Sequence, residues 1–176
     1  MHLYSHSLPT TGGSTPWDDY SYLGQVRDDW AIDATVLYAD NKRYLVYSGF
    51  DGSTGSGLQS LLIAELLTPA TTGEARLLSE PTEEWELFEV GVNEGAAALY
   101  HPPTGRTWLS FAASFCWTPQ YSLGLLEYDG VGDPLDAASW NKTGPVFSTA
   151  NGNYGTGHNR YVASRASLLV LGELVH

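Results

Sequence analysis

A single cysteine, Cys116, in 176 residues excludes an intrachain disulfide framework and any cysteine-built zinc or iron–sulfur site. Basic residues are scarce as well. Lys plus Arg number 8 against 20 Asp plus Glu, a formal charge of −12. A chain with no basic stripe is not built to track phosphates, which excludes nucleic acid and anionic membrane surfaces as partners. No apolar run approaches the ~18 residues of a membrane-spanning helix. The start, MHLYSHSLPTT, lacks the basic region and apolar core of a signal peptide. A 3.6-residue period long enough for a core helix is missing too.

What remains is apolar, aromatic and rich in turn residues. Apolar residues make up 43% and charged ones 16%, which places the chain among folded proteins. Gly numbers 19, Tyr 11 and Trp 6, and short apolar runs alternate with Gly, Pro, Asn and Asp. That pattern predicts an all-β protein. Strands are expected at residues 34–39, 43–48, 61–66 and 75–79. A second set is expected at 96–101, 107–113, 122–128 and 145–148. A Gly/Ser loop is expected at 51–57. The run 58–67 has the composition of a helix too, but the loops on both sides favour a strand.

The two sets match each other. YLVYS at 44–48 aligns with WLSFA at 108–112, an offset of 111 − 47 = 64. SLLIAEL at 60–66 aligns with SLGLLEY at 122–128, an offset of 122 − 60 = 62. An acidic residue precedes each first strand, Asp33 and Glu94, at 94 − 33 = 61; His158 follows at 158 − 94 = 64. A four-stranded unit recurring about every 62 residues is the mark of a β-propeller blade. The first strand of a blade lines the central channel, so Asp33, Glu94 and His158 are expected around one funnel. A ring needs about 4 to 8 blades, and 176/62 gives about 2.8. The expected layout is a blade at 28–90, a blade at 91–150 and the start of another at 151–176, the later part of a larger propeller.

Each candidate has a plain reading. Taken alone, Asp33 is a turn carboxylate that accepts backbone hydrogen bonds. Glu94 is harder to explain that way, because it leads into a small apolar strand where a charge is costly to bury unless paired. A carboxyl group kept in its neutral form there suits a general acid. A lone histidine such as His158 is ordinarily a satisfied core residue, and only its repeat position raises it. Trp108 and Trp140 read as core. Trp117, in the loop 114–121, offers a flat platform of the kind that stacks a sugar ring. Trp30 and Phe115 stand beside the same carboxylates. Cys116 has no basic neighbour in sequence and is expected to be inert. The acidic run 80–89 lacks calcium-loop spacing and is expected to be a solvated face.

Several of these segments together resemble family 43 glycoside hydrolases: WAIDATVL (30–37), VNEG (92–95) and YGTGHN (154–159), with ASFCWT (113–118) and DPLDAASW (133–140). The resemblance is nearest to the exo-acting α-L-arabinofuranosidase branch and covers residues 1 to about 161. It implies a five-bladed propeller and hydrolysis with inversion. It implies Glu94 as general acid and Asp33 as the Asp that modulates the acid's pKa. Trp30, Phe115 and Trp117 would bind substrate. His158 matches an axial histidine near a structural metal ion or water cluster, and no cofactor is required. The family's base, an Asp of the first blade, has no match. Ala96 and Thr156 stand where Pro is usual, and residues 164–176 depart from the family's pattern. The implied partner is an arabinose-containing polysaccharide or oligosaccharide such as arabinan or arabinoxylan, met outside the cell. Inversion needs two carboxyls about 6.5–9.5 Å apart, a spacing that residues on different blades can provide. The alternative is a catalytically inactive, sugar-binding or vestigial propeller fragment, since an acid without a base does not hydrolyse usefully.

Overall fold

Residues 44–49 are all buried, although their side chains alternate between two faces. Such a strand lies inside a stack of sheets rather than at a surface. The computed structural model describes residues 4–7, 17, 21–51, 56–163 and 168–172. In chain order its strands are β1 (Tyr4–Ser7), β2 (Ser21–Gln25), β3 (Ala31–Ala39), β4 (Lys42–Phe50), β5 (Gln59–Thr68), β6 (Thr71–Thr72) and β7 (Arg76–Ser79). They continue as β8 (Asn93–His101), β9 (Arg106–Ala113), β10 (Ser122–Tyr128), β11 (Trp140–Phe147), β12 (Asn159–Ala163) and β13 (Leu168–Gly172). Two 3₁₀ turns span Glu84–Glu86 and Ala137–Ser139. Of the expected loop at 51–57, residues 52–55 lie outside the described residues, as do 164–167 and 173–176 of the divergent tail.

Strands β3, β4, β5 and β7 form one antiparallel sheet, with β6 as a short extra strand on β5. Strands β8 to β11 form a second antiparallel sheet in sequential order. β1 pairs with β2, and β12 with β13. The ambiguous run at 58–67 is the strand β5. β11 begins at Trp140 rather than at 145. Its Asn141–Gly144 stretch has turn composition, but pairing of Tyr128 with Trp140 and Glu127 with Asn141 recruits it to the sheet. Burial of Trp140 at 7% exposure supplies the tertiary pull that overrides propensity.

The two large sheets pack face to face. Tyr44, Val46, Leu61, Ile63 and Leu78 of the first meet Ala96, Leu109, Phe111, Leu126 and Trp140 of the second in one core. The opposite face of the first sheet holds Ala31, Leu45, Tyr47 and Leu62. The far face of the second holds Ala112, Tyr121 and Leu123. Strands β4, β5 and β9 therefore feed two cores each by their period of two. This is the stacking of propeller blades.

Both inner strands carry the same irregularity. In β3, Ile32 pairs with Ser48 but Thr35 with Val46, so Asp33 and Ala34 oppose a single residue. In β8, Glu94 pairs with Ala112 but Ala97 with Ser110, so Gly95 and Ala96 form the same bulge. Asp33 has φ 55° and Gly95 φ 59°. His158, just before β12, has φ 44°. The backbone repeat is thus Asp33, Gly95, His158, with steps of 95 − 33 = 62 and 158 − 95 = 63. Glu94 aligns with Ile32, one residue away from the alignment read from sequence. Chemical type aligned Asp with Glu, whereas backbone geometry aligns the left-handed residues.

Candidate active site

Apart from His158, which precedes β12, the candidate side chains lie at or beside one end of the two sheets: the beginnings of β3, β5, β8 and β10 and the ends of β4 and β9. A bulge re-aims the residue it carries and commonly borders functional sites. At this rim stands the half-buried Glu94, and both its carboxylate oxygens are engaged. Tyr121 donates its hydroxyl to Oε1 at 2.8 Å. Gln59 donates Nε2–H to Oε2 at 2.9 Å. The same Gln59 nitrogen donates to Ser48 Oγ at 2.9 Å, and Ser48 donates to the Asn93 carbonyl at 2.8 Å.

Asp33 shares this locality. Burial pushes the Tyr121 hydroxyl far above its ordinary pKa, and the charges of Glu94 and then Asp33 push the same way. Burial likewise raises the Cys116 thiol, with Glu94 and Asp33 adding to it. Both carboxylates thus bear on the same two groups, and each stands at the bulge of its inner strand. Cys116 is accordingly a poor nucleophile, as expected from its sequence context.

His158 lies against the bulge of the second sheet. A Cβ on Gly95 would sit 3.2 Å from His158 Nδ1, so the glycine makes room for the ring as well as adopting its left-handed φ. No cluster of three or more His, Cys, Asp or Glu side chains able to hold a metal occurs among the described residues. One histidine does not make a protein cage.

The aromatic candidates separate. Trp30 is 38% exposed and tilts against Phe50 at 4.8 Å between ring centroids. Phe50 pairs with Gln59 in the sheet, which sets this aromatic pair one strand from the Glu94 partner. Phe115 is half-buried at the turn after β9, where its carbonyl accepts from Thr118 Oγ1 at 2.8 Å. Trp117, in the same turn, is 77% exposed and stands open to solvent. Sequence reading missed Phe50, Gln59 and Tyr121. Gln59 had one signal, a lone amide at the head of an apolar strand; Tyr121 had none.

The acidic run 80–89 is not uniformly a solvated face. Glu86 is 0% exposed, accepts from the backbone N–H of Thr82 and Glu83, and pairs with Lys142 Nζ at 3.0 Å. It also accepts from Asn93 Nδ2 at 3.0 Å. The run folds back because its central carboxylate finds four donors inside, which a solvated face would not provide.

Against known proteins, the family described as Glycosyl hydrolases family 43 matches residues 7–170. An extracellular exo-α-(1→5)-L-arabinofuranosidase of Streptomyces avermitilis is 34% identical over 160 residues, 89% of this chain and 32% of that protein. One of the same description from Streptomyces chartreusis is 33% identical over 180 residues, 94% of this chain and 51% of that protein. The crystal structure of an α-L-arabinofuranosidase from Lactobacillus brevis superposes with a TM-score of 0.82 at 29% identity, over 93% of this chain and 53% of that one. A thermostable family-43 glycoside hydrolase gives 0.75 at 23% identity, over 92% and 55%, which bears on the fold alone. The chain spans about a third to a half of the length of the curated relatives it matches. Its architecture is all-β, a partial five-bladed propeller.

Proposed function

The chain belongs to the glycosyl hydrolases of family 43, and from that premise we propose that it is part of an exo-acting α-L-arabinofuranosidase with Glu94 as general acid. Its substrate class is carbohydrate. The finer reading is an arabinose-containing polysaccharide or oligosaccharide, such as arabinan or arabinoxylan, hydrolysed with inversion outside the cell. The extracellular description of the Streptomyces relatives supports that location.

One observation carries the reading: a carboxyl group gripped at both oxygens by Tyr121 and Gln59, on a rim it shares with Asp33. In the proposed step Glu94 gives its proton to the glycosidic oxygen as the bond from that oxygen to the anomeric carbon breaks. The electron pair leaves with the protonated oxygen. Water adds to the anomeric carbon from the opposite face and yields its proton to a second carboxylate. The family's base Asp has no motif match here and would belong to the part of the fold that this chain does not span. Asp33 then acts on Glu94 through its charge rather than on substrate. Trp30, with Phe50, and Trp117 are the proposed sugar-stacking surfaces.

The test is arabinose release from arabinan and from 4-nitrophenyl α-L-arabinofuranoside, before and after Glu94→Gln. Removing a general acid is expected to lower the rate on arabinan by about 10²–10⁴-fold. The nitrophenyl substrate, whose leaving group needs little protonation, is expected to lose far less. Equal losses on the two substrates would refute the acid role. Arabino-oligosaccharide binding with no turnover in the full-length protein would favour the non-catalytic alternative.

A further inference from the structure

The hydrogen bonds around Glu94 have a direction, and the direction can be read from their far end. The Asn93 carbonyl only accepts. Asn93 is itself fixed: it is fully buried, its Oδ1 accepts from Ser79 at 2.8 Å, and its Nδ2 donates to Glu86 at 3.0 Å. Ser48 has one hydroxyl hydrogen, which goes to that carbonyl at 2.8 Å. The Ser48 oxygen must then accept, and Gln59 is its donor at 2.9 Å. This orients the Gln59 amide with nitrogen toward both Ser48 and Glu94. Its two hydrogens are thereby assigned, one to Ser48 Oγ and one to Glu94 Oε2.

Oε2 therefore meets a group that can only donate. A proton on Oε2 directed at Gln59 would face another proton. Oε1 meets a hydroxyl, which donates to a carboxylate and can turn to accept from a carboxylic acid. Tyr121 keeps that hydroxyl hydrogen, because burial and then the Glu94 charge hold its phenol far above the ordinary range. Its ring is wedged against Gly157, where any Cβ would collide with it.

We propose that Gln59 and Tyr121 are positioning residues for Glu94: the donor order Gln59–Ser48–Asn93 fixes the Gln59 amide as a donor to Oε2, while the Tyr121 hydroxyl holds Oε1. This deepens the general-acid reading and rests on it. After transfer, the Glu94 carboxylate again accepts from both neighbours, so the network stabilises the form the acid leaves behind.

Two measurements test this. In the first, the full-length protein is labelled with ¹⁵N and exchange of the Gln59 side-chain amide protons with water is followed. Both are expected to exchange at least about tenfold more slowly than a free glutamine amide. Ser48→Ala should release one of them, and Glu94→Ala the other. Free exchange of both in the unaltered chain would overturn the donor order. The second uses turnover by the full-length protein. Tyr121→Phe, which keeps the ring on Gly157, and Gln59→Met, which keeps the length, are expected to slow arabinan hydrolysis by about tenfold or more. Rates on the nitrophenyl arabinoside should change by less than about threefold. Residues that only support the fold would slow both substrates alike, and that result would overturn the positioning role. Glu94→Gln run alongside separates the failures. If it shows no split between substrates, the general-acid reading falls and takes the positioning role with it. If it shows the split while Tyr121→Phe and Gln59→Met do not, only the present inference falls.

Discussion

Asp33 holds a φ of 55°, in the left-handed region where a side chain costs about 1–2 kcal/mol. The neighbouring blade fills the same backbone place with Gly95 and avoids that cost. An aspartate kept where glycine is easier, beside a gripped carboxyl group, is strain stored at a functional rim. Asp33→Gly is therefore expected to leave the urea midpoint unchanged or raise it, since relief of strain offsets the ~0.5–1 kcal/mol entropic penalty of glycine. Arabinoside turnover by the full-length protein should fall in the same variant. A clear loss of stability would show that the Asp33 carboxylate serves the fold instead. At this scale the sequence made Asp33 and Glu94 legible, because a carboxylate stands out at the head of an apolar strand. It hid their alignment, because the αL position is a backbone property shared by Asp, Gly and His here. It also hid Tyr121 and Gln59, whose bonds to Glu94 cross 27 and 35 residues of chain.

Strand order and strand identity were the most legible features among the elements, since period-two apolar runs cannot bury their faces as helices. Boundaries were less so where pairing recruits turn-like residues, as in β11. That strand also bears the cation of the one ion pair in which the carboxylate is fully buried, among the described residues. Lys142 reaches the 0% exposed Glu86 and the Glu80 carbonyl at 2.7 Å, and so ties β11 to the segment between β7 and β8. Lys142→Met should strand a buried carboxylate and cost about 3–5 kcal/mol in chemical denaturation. Adding Glu86→Gln should recover part of it, because two neutral groups no longer leave a charge uncompensated. A loss below about 1 kcal/mol, as for exposed pairs, would mean that Glu86 finds water or another donor. The acidic run was misread at Glu86, because composition counts charges without showing which one folds inward.

Across the whole molecule, blades are stacked so that the same strand ends meet at one rim, and chemistry from residues more than sixty apart gathers there. The ~62-residue repeat carried that layout, and resemblance supplied the ring that the chain only partly spans. Away from the rim, at the opposite end of β9, Arg106, Glu127 and Asn141 line a groove of ≈ 500 Å³. Sugar contact there would imply a different use of the fold. The proposed function makes the rim built from Asp33, Gln59, Glu94 and Tyr121 the place where carbohydrate is met. The most direct measurement is a titration of the ¹⁵N-labelled chain with an arabino-oligosaccharide, followed residue by residue in NMR spectra. Chemical-shift changes are expected to centre on the Trp30 indole, the Gln59 side chain and the backbone amides of Asp33, Glu94, Gly95 and Tyr121. Changes confined to the groove around Arg106 and Asn141, with the rim signals unmoved at saturation, would contradict it.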